Sequence, residues 1–124
     1  MIIVSCKSEK KKTAPTTAFD TGRLFIESRL KGDFKSAEAV LLNDNENLNY
    51  LNKEKQRYSS LSDVEKNGFK NSNYTIREIK EPNDSTCIIN YEDDFKKIAS
   101  SILLIRKQQH WLVDFKYTFN NKDS

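Results

Sequence analysis

Trp111-Leu112-Val113-Asp114-Phe115-Lys116-Tyr117-Thr118-Phe119 is the stretch that decides the fold. Its odd positions hold Trp, Val, Phe, Tyr and Phe, while its even positions hold Leu, Asp, Lys and Thr. Successive side chains of a strand point to opposite faces. The alternation therefore predicts one long antiparallel strand, with an aromatic face on a core and a mixed face away from it.

Working back from that strand, Lys107-Gln108-Gln109 reads as a turn, and residues 98–106 read as the strand it serves. Thr86–Tyr91 forms another, which Glu92-Asp93-Asp94 ends. Pro82-Asn83-Asp84-Ser85 has turn chemistry. Before it, residues 74–81 read as a strand whose Ile76 and Ile79 differ in parity, a conflict that a bulge resolves.

Upstream of Gly68 the period is helical. Phe19, Phe25, Ile26 and Leu30 form a first stripe, which should stop at Lys31-Gly32 because glycine accepts the left-handed conformation. Asp33 is placed to cap a second short helix carrying Phe34, Ala37, Val40 and Leu41. Asn43-Asp44-Asn45 breaks it, and a third helix from about Glu46 aligns Leu48, Leu51, Tyr58 and Leu61. Ser62 and Glu65 have capping-box spacing for an extra turn ending at Gly68. Helices first and a strand meander second predict α+β, with three N-terminal helices packed on a four-stranded antiparallel sheet.

Length and composition fit one domain. The chain has 124 residues and is 36% hydrophobic, so the core should be thin, helped by seven Phe, five Tyr and one Trp. Of 21 basic and 18 acidic side chains, four lysines and one glutamate lie in residues 1–16, leaving 17 of each sign beyond them. A formally neutral domain does not predict nucleic-acid binding. The nearest basic run, Lys53-Glu54-Lys55-Gln56-Arg57, is interrupted by a glutamate and reads as the wet face of the third helix. Cys87 lies in the apolar run Thr86-Cys87-Ile88-Ile89 and reads as a small buried hydrophobe.

The chemistry-bearing residues are sparse. His110 shares strand parity with Asp114, as a base and its orienting carboxylate would, yet on the face opposite Trp111 and Phe115. Glu92-Asp93-Asp94 supplies too few oxygens at the wrong spacing for calcium. Zinc spacings, glycine-rich phosphate loops and serine nucleophile motifs are missing from the sequence. No catalytic residue, metal or cofactor is therefore assigned.

Two resemblances add to this. Ile3-Val4-Ser5-Cys6 followed by Lys7-Ser8-Glu9-Lys10-Lys11-Lys12 resembles the lipobox of bacterial lipoproteins. That resemblance implies lipid attachment at Cys6 and a place in the bacterial cell envelope, on the periplasmic or surface side. A lipoprotein signal needs ~7–15 apolar residues, and Met1-Ile2-Ile3-Val4 supplies only the end of such a stretch; either the start lies upstream of Met1, the reading favoured here, or the cysteine is a relic in a cytoplasmic protein. Residues 1–6 then read as the remnant of the signal, 7–16 as a lysine-rich tether, 17–119 as the domain and 120–124 as a tail. Phe25-Ile26, Lys31-Gly32-Asp33-Phe34 and His110-Trp111-Leu112-Val113-Asp114-Phe115 resemble small bacterial lipoproteins of the nuclear transport factor 2-like superfamily. The resemblance implies a cone in which a curved sheet wraps a helix, and often a homodimer through the sheet face. It also implies a cavity, with Phe25, Tyr74, Tyr91, Trp111, Phe115 and Tyr117 as candidate lining. The expected function is non-enzymatic: a lipid-anchored domain that binds a small apolar molecule or a protein partner. The alternative is an isomerase- or hydrolase-like enzyme working with tyrosine and carboxylate in that cavity.

Overall fold

The Thr17 hydroxyl accepts the Asp20 N–H at 3.0 Å and so caps helix α1 (Ala18–Lys31). A computed structural model describes residues 17–120; Cys6, the tether and the end of the tail lie outside the described residues. The helix stops where Gly32 adopts φ 77°, and the Gly32 and Asp33 N–H groups return to the Arg29 and Ser28 carbonyls at 3.1 and 2.8 Å. This Schellman closure needs a left-handed residue. Space demands glycine as well, since a Cβ at position 32 would stand 2.6 Å from the Tyr58 ring.

Asp33 caps α2 (Phe34–Ala39), and Asp44 caps α3 (Asn45–Ser59). Ser62 then caps a full helix, α4 (Asp63–Lys70), accepting the Glu65 N–H at 3.1 Å. Four helices thus precede the sheet, not three, and Gly68 lies within α4 instead of ending it. The Phe95 ring occupies the space beside Gly68, within 2.2 Å of where a Cβ would be. Glycine serves a close approach there.

The strands β1 (Tyr74–Asn83), β2 (Thr86–Asp93), β3 (Ala99–Lys107) and β4 (His110–Val113) pair antiparallel in chain order as an open sheet. The β1–β2 register shifts between Ile76 and Glu78, the bulge that the two isoleucine parities require. Cys87, Ile89, Tyr91 and Asp93 of β2 are all buried on one face, joined by Ile102 and Leu104 of β3. Gly22 brings α1 onto this face so closely that a Cβ would meet Ile89 Cδ1 at 2.6 Å. Phe19, expected on the buried stripe, is 41% exposed, because the buried side of α1 runs through Ala18, Thr21, Gly22, Phe25 and Ile26. On the opposite sheet face Ile88 stands against Leu103 and Ile105 against Leu112, each half-buried.

The predicted last strand is corrected most. β4 ends at Val113, and Lys116–Asn120 forms a fifth helix, α5. The Asn47 Oδ1 takes the Lys116 N–H at 2.7 Å, which no continuing strand partner then receives. Phe115 is fully buried, edge-on to Phe25 at 5.1 Å and to Phe119 at 4.9 Å. Phe115 and Phe119 are spaced i, i+4, so the same residues that alternate as a strand also share one face of a helical turn.

Candidate ligand-binding cavity

A cavity of about 210 Å³ opens between the helices and the buried face of the sheet. Ile26, Arg29 and Leu30 reach it from α1, Glu54, Arg57 and Tyr58 from α3, and Leu61 and Phe69 from the region of α4. Tyr91, Asp93 and Ser100 line it from the sheet, Ile98 from the β2–β3 connection, and Thr118 and Phe119 from α5. The wall is mostly apolar and carries a small charged group.

Arg29 is the centre of that group. It follows Phe25 and Ile26 by four and three residues, so the helical period turns it toward the sheet and not toward water. Its guanidinium donates to the Tyr91 hydroxyl at 2.9 Å and to Glu54 Oε1 at 3.0 Å. It stands over the rings of Phe115 at 4.9 Å and Phe25 at 5.7 Å, a cation–π backing that strengthens as water is excluded. Burial pulls its proton affinity down, but Tyr91 and Glu54 outweigh this and hold it above the ordinary arginine value. Its Nε–H is buried without a hydrogen-bond partner.

Glu54 is the other half. Burial pushes its carboxyl up, and the Arg29 guanidinium, then that of Arg57, reverses the shift and leaves it below the usual glutamate range. One oxygen, Oε1, serves both arginines, with Arg57 at 3.4 Å. Arg57 is 63% exposed at the rim. Both Asp93 oxygens are engaged by the loop: Oδ2 accepts the Lys96 N–H at 2.6 Å and Oδ1 the Ile98 N–H at 3.0 Å, which fixes the connection that carries Ile98.

Among the six residues named from sequence as candidate lining, Tyr91 stands in the cavity wall. Phe25 and Phe115 lie beneath it in the core, behind Arg29. Tyr74 sits beside Tyr91, ring centroids 6.3 Å apart, and donates to Glu27 Oε2 at 2.7 Å. Trp111 packs half-buried against the core, and Tyr117 is half-buried on α5. Neither belongs to the cavity wall. The run containing Glu54 is wet only in part, since Glu54 turns inward while Lys53, Lys55, Gln56 and Arg57 stay exposed.

The remaining candidates do not converge. His110 is exposed in the last hairpin, while Asp114 is turned inward to Asn47 Nδ2 at 3.1 Å and Lys116 Nζ at 2.6 Å. Glu92, Asp93 and Asp94 each bond elsewhere, Glu92 to Arg77 and Asp94 to Thr75. Cys87 is a free, buried thiol whose pKa is pushed up by burial, and then by Glu81. Among the described residues no cluster of His, Cys, Asp or Glu has metal-binding grouping, and no helix is long and apolar enough to cross a membrane. Neither a protein-family model nor a curated protein matches the chain.

Proposed function

We propose that this chain is a non-enzymatic, ligand-binding domain held at a bacterial envelope membrane through a lipid on Cys6, and that it is a relative of the nuclear transport factor 2-like cone proteins. The observation that carries the binding reading is the 210 Å³ cavity with an apolar wall and one buried ion pair. An apolar cavity of about 150 Å³ holds a benzene-sized molecule, so this one admits a single ring or a short branched chain. Concave, largely apolar sites with a few fixed polar groups are the usual form of a small-molecule site. Kinship with the cone proteins is supported by the roles of the quoted motifs: Phe25, Ile26 and Phe34 are core residues, and Gly32 makes the helix stop. The anchor is supported by Ile3-Val4-Ser5-Cys6 and the lysines behind it. The outer strip of Ile88, Leu103, Ile105 and Leu112 suits a second copy of the chain, and sedimentation equilibrium of a monomer at every concentration would remove that part.

Binding is favoured over the enzymatic alternative by the state of Glu54, the carboxylate of the cavity wall that is not capping a loop. Glu54 is held ionised by two arginines, which makes it a weak base and leaves it no proton to give near neutrality. The test is a nitrogen-labelled NMR titration of the full chain with toluene. Amide shifts should cluster at residues 30, 61, 69, 98 and 119, and Ser100→Phe, which puts a ring into the cavity, should abolish them. Shifts scattered over the surface, or unchanged in the variant, overturn the cavity reading. Fatty-acid labelling of cells should mark the wild type and not Cys6→Ala.

A further inference from the structure

We infer that the cavity selects a small amphipathic carboxylate, one ring or short chain in size, with its acid group held by Arg57 at the rim. The inference rests on the cavity reading above and adds the chemical class. Hydrogen-bond capacity is the reason. A guanidinium has five N–H donors and no acceptor. Arg57 uses its fork on one 3.4 Å contact, and Tyr91 accepts from Arg29 while keeping its own O–H to donate. On the acceptor side, both Asp93 oxygens are taken by loop N–H groups, and Glu54 is committed to the arginines through Oε1. The spare donors of Arg57 and Tyr91 are what an acceptor on a ligand can meet. A carboxylate is acceptor-only and matches an arginine fork bidentately.

The apolar half of the ligand is specified as well. Ile98 is 54% exposed although it lines the cavity, so the mouth has an apolar side chain that water now covers. Leu61, Phe69 and Phe119 continue that surface inward. An amphiphile entering ring-first meets these residues and leaves its acid at the rim, where Arg57 stands. The rim position also lets Arg57 leave Glu54 for the ligand without stranding Glu54, which keeps Arg29.

The experiment compares three probes of one shape on the full chain by NMR titration: hydrocinnamate, the uncharged hydrocinnamamide and the cationic phenylpropylamine. Hydrocinnamate should bind about tenfold more tightly than the amide, the gain of one charge-assisted bond. Arg57→Gln should erase that preference, bringing the affinity for the acid down to that for the amide. Arg57 is largely exposed, so the variant keeps the fold, which a thermal melt checks. Equal binding of acid and amide, or tighter binding of the amine, overturns the carboxylate class and leaves the cavity reading standing. Silence of all three at the cavity amides overturns both.

Discussion

Two clusters of charged and amide groups lie under the surface of this small domain, and they are built to opposite standards. One joins the start of α3 to the end of the sheet. Asn47, fully buried, donates to the Leu42 carbonyl at 3.2 Å, to Asp44 Oδ2 at 3.4 Å and to Asp114 Oδ1 at 3.1 Å, and it accepts the Lys116 N–H at 2.7 Å. Lys116 Nζ closes the ring, bridging Asp114 at 2.6 Å and Asp44 at 3.0 Å. The other cluster, Arg29 with Glu54, Arg57 and Tyr91, leaves a buried donor unpaired and faces a void. A polar network rigidifies a fold only when every member is satisfied. The first cluster is a latch. The second borders the cavity proposed above as a ligand site.

Breaking the latch should therefore do the greater damage. Asn47→Ala removes four hydrogen bonds and leaves Asp114 and the Leu42 carbonyl short of donors; urea unfolding should report a loss of about 3–4 kcal/mol. It should also free α5, since Lys116 N–H loses its acceptor, seen as faster hydrogen exchange at residues 116–120. A loss under 1 kcal/mol would put the two clusters on an equal footing and undo the distinction. Glu54→Ala comes next. Removing one partner of a buried pair costs ~3–5 kcal/mol, and the partial exposure here, 14% for Glu54 and 16% for Arg29, lowers the expectation to about 2–3 kcal/mol. The sharper comparison replaces both. Arg29→Met with Glu54→Leu should fold within about 1 kcal/mol of the wild type, because apolar groups can replace an ion pair whose role is not structural. A double variant as unstable as Glu54→Ala alone would make the pair a structural element.

The latch and the site were legible in the sequence to different degrees, as was the fold around them. The stop of α1 at Gly32, the caps Asp33 and Ser62, and the β1 bulge follow from single residues whose chemistry has few other uses. The end of β4 did not, because residues 111–119 satisfy a period of two as strands do and place Phe115 four before Phe119 as helices do. Only the docking of Lys116 N–H on Asn47, 69 residues away in sequence, decides between them. The site was hidden for a related reason. Charged residues are almost never buried unless paired, and the pairing of Arg29 with Glu54 spans two helices. A signal was present nonetheless: Arg29 falls three residues after Ile26, and Glu54 falls three after Leu51 and four before Tyr58, each on its helix's apolar side. Asn47, four before Leu51, carries the same signal.

The smallest expected effect separates the clusters by the sign of their pH dependence. Glu54 has its folded pKa lowered, by the arginines against burial, so its contribution to stability is present above the unfolded glutamate value of about 4.3 and is lost as pH falls through the folded value. Asp44, lowered by the Asn47 backbone N–H and by Lys116, works in the same direction from an exposed position. Lys116 is the reverse case. Its hydrogen bond to Asp114 raises its folded pKa, so its contribution is complete below the unfolded lysine value of about 10.4 and disappears as pH rises through the folded one. The latch should thus weaken at both ends of the pH range, whereas the cavity pair should weaken only at the acid end, since Arg29 stays charged throughout. Denaturant midpoints measured from pH 3 to pH 11 should lose part of their acid limb in Glu54→Gln and part of their alkaline limb in Lys116→Met. An alkaline limb unchanged by Lys116→Met would mean that the lysine only decorates the ring it closes, and Asn47 would then hold α5 to α3 by its amide alone.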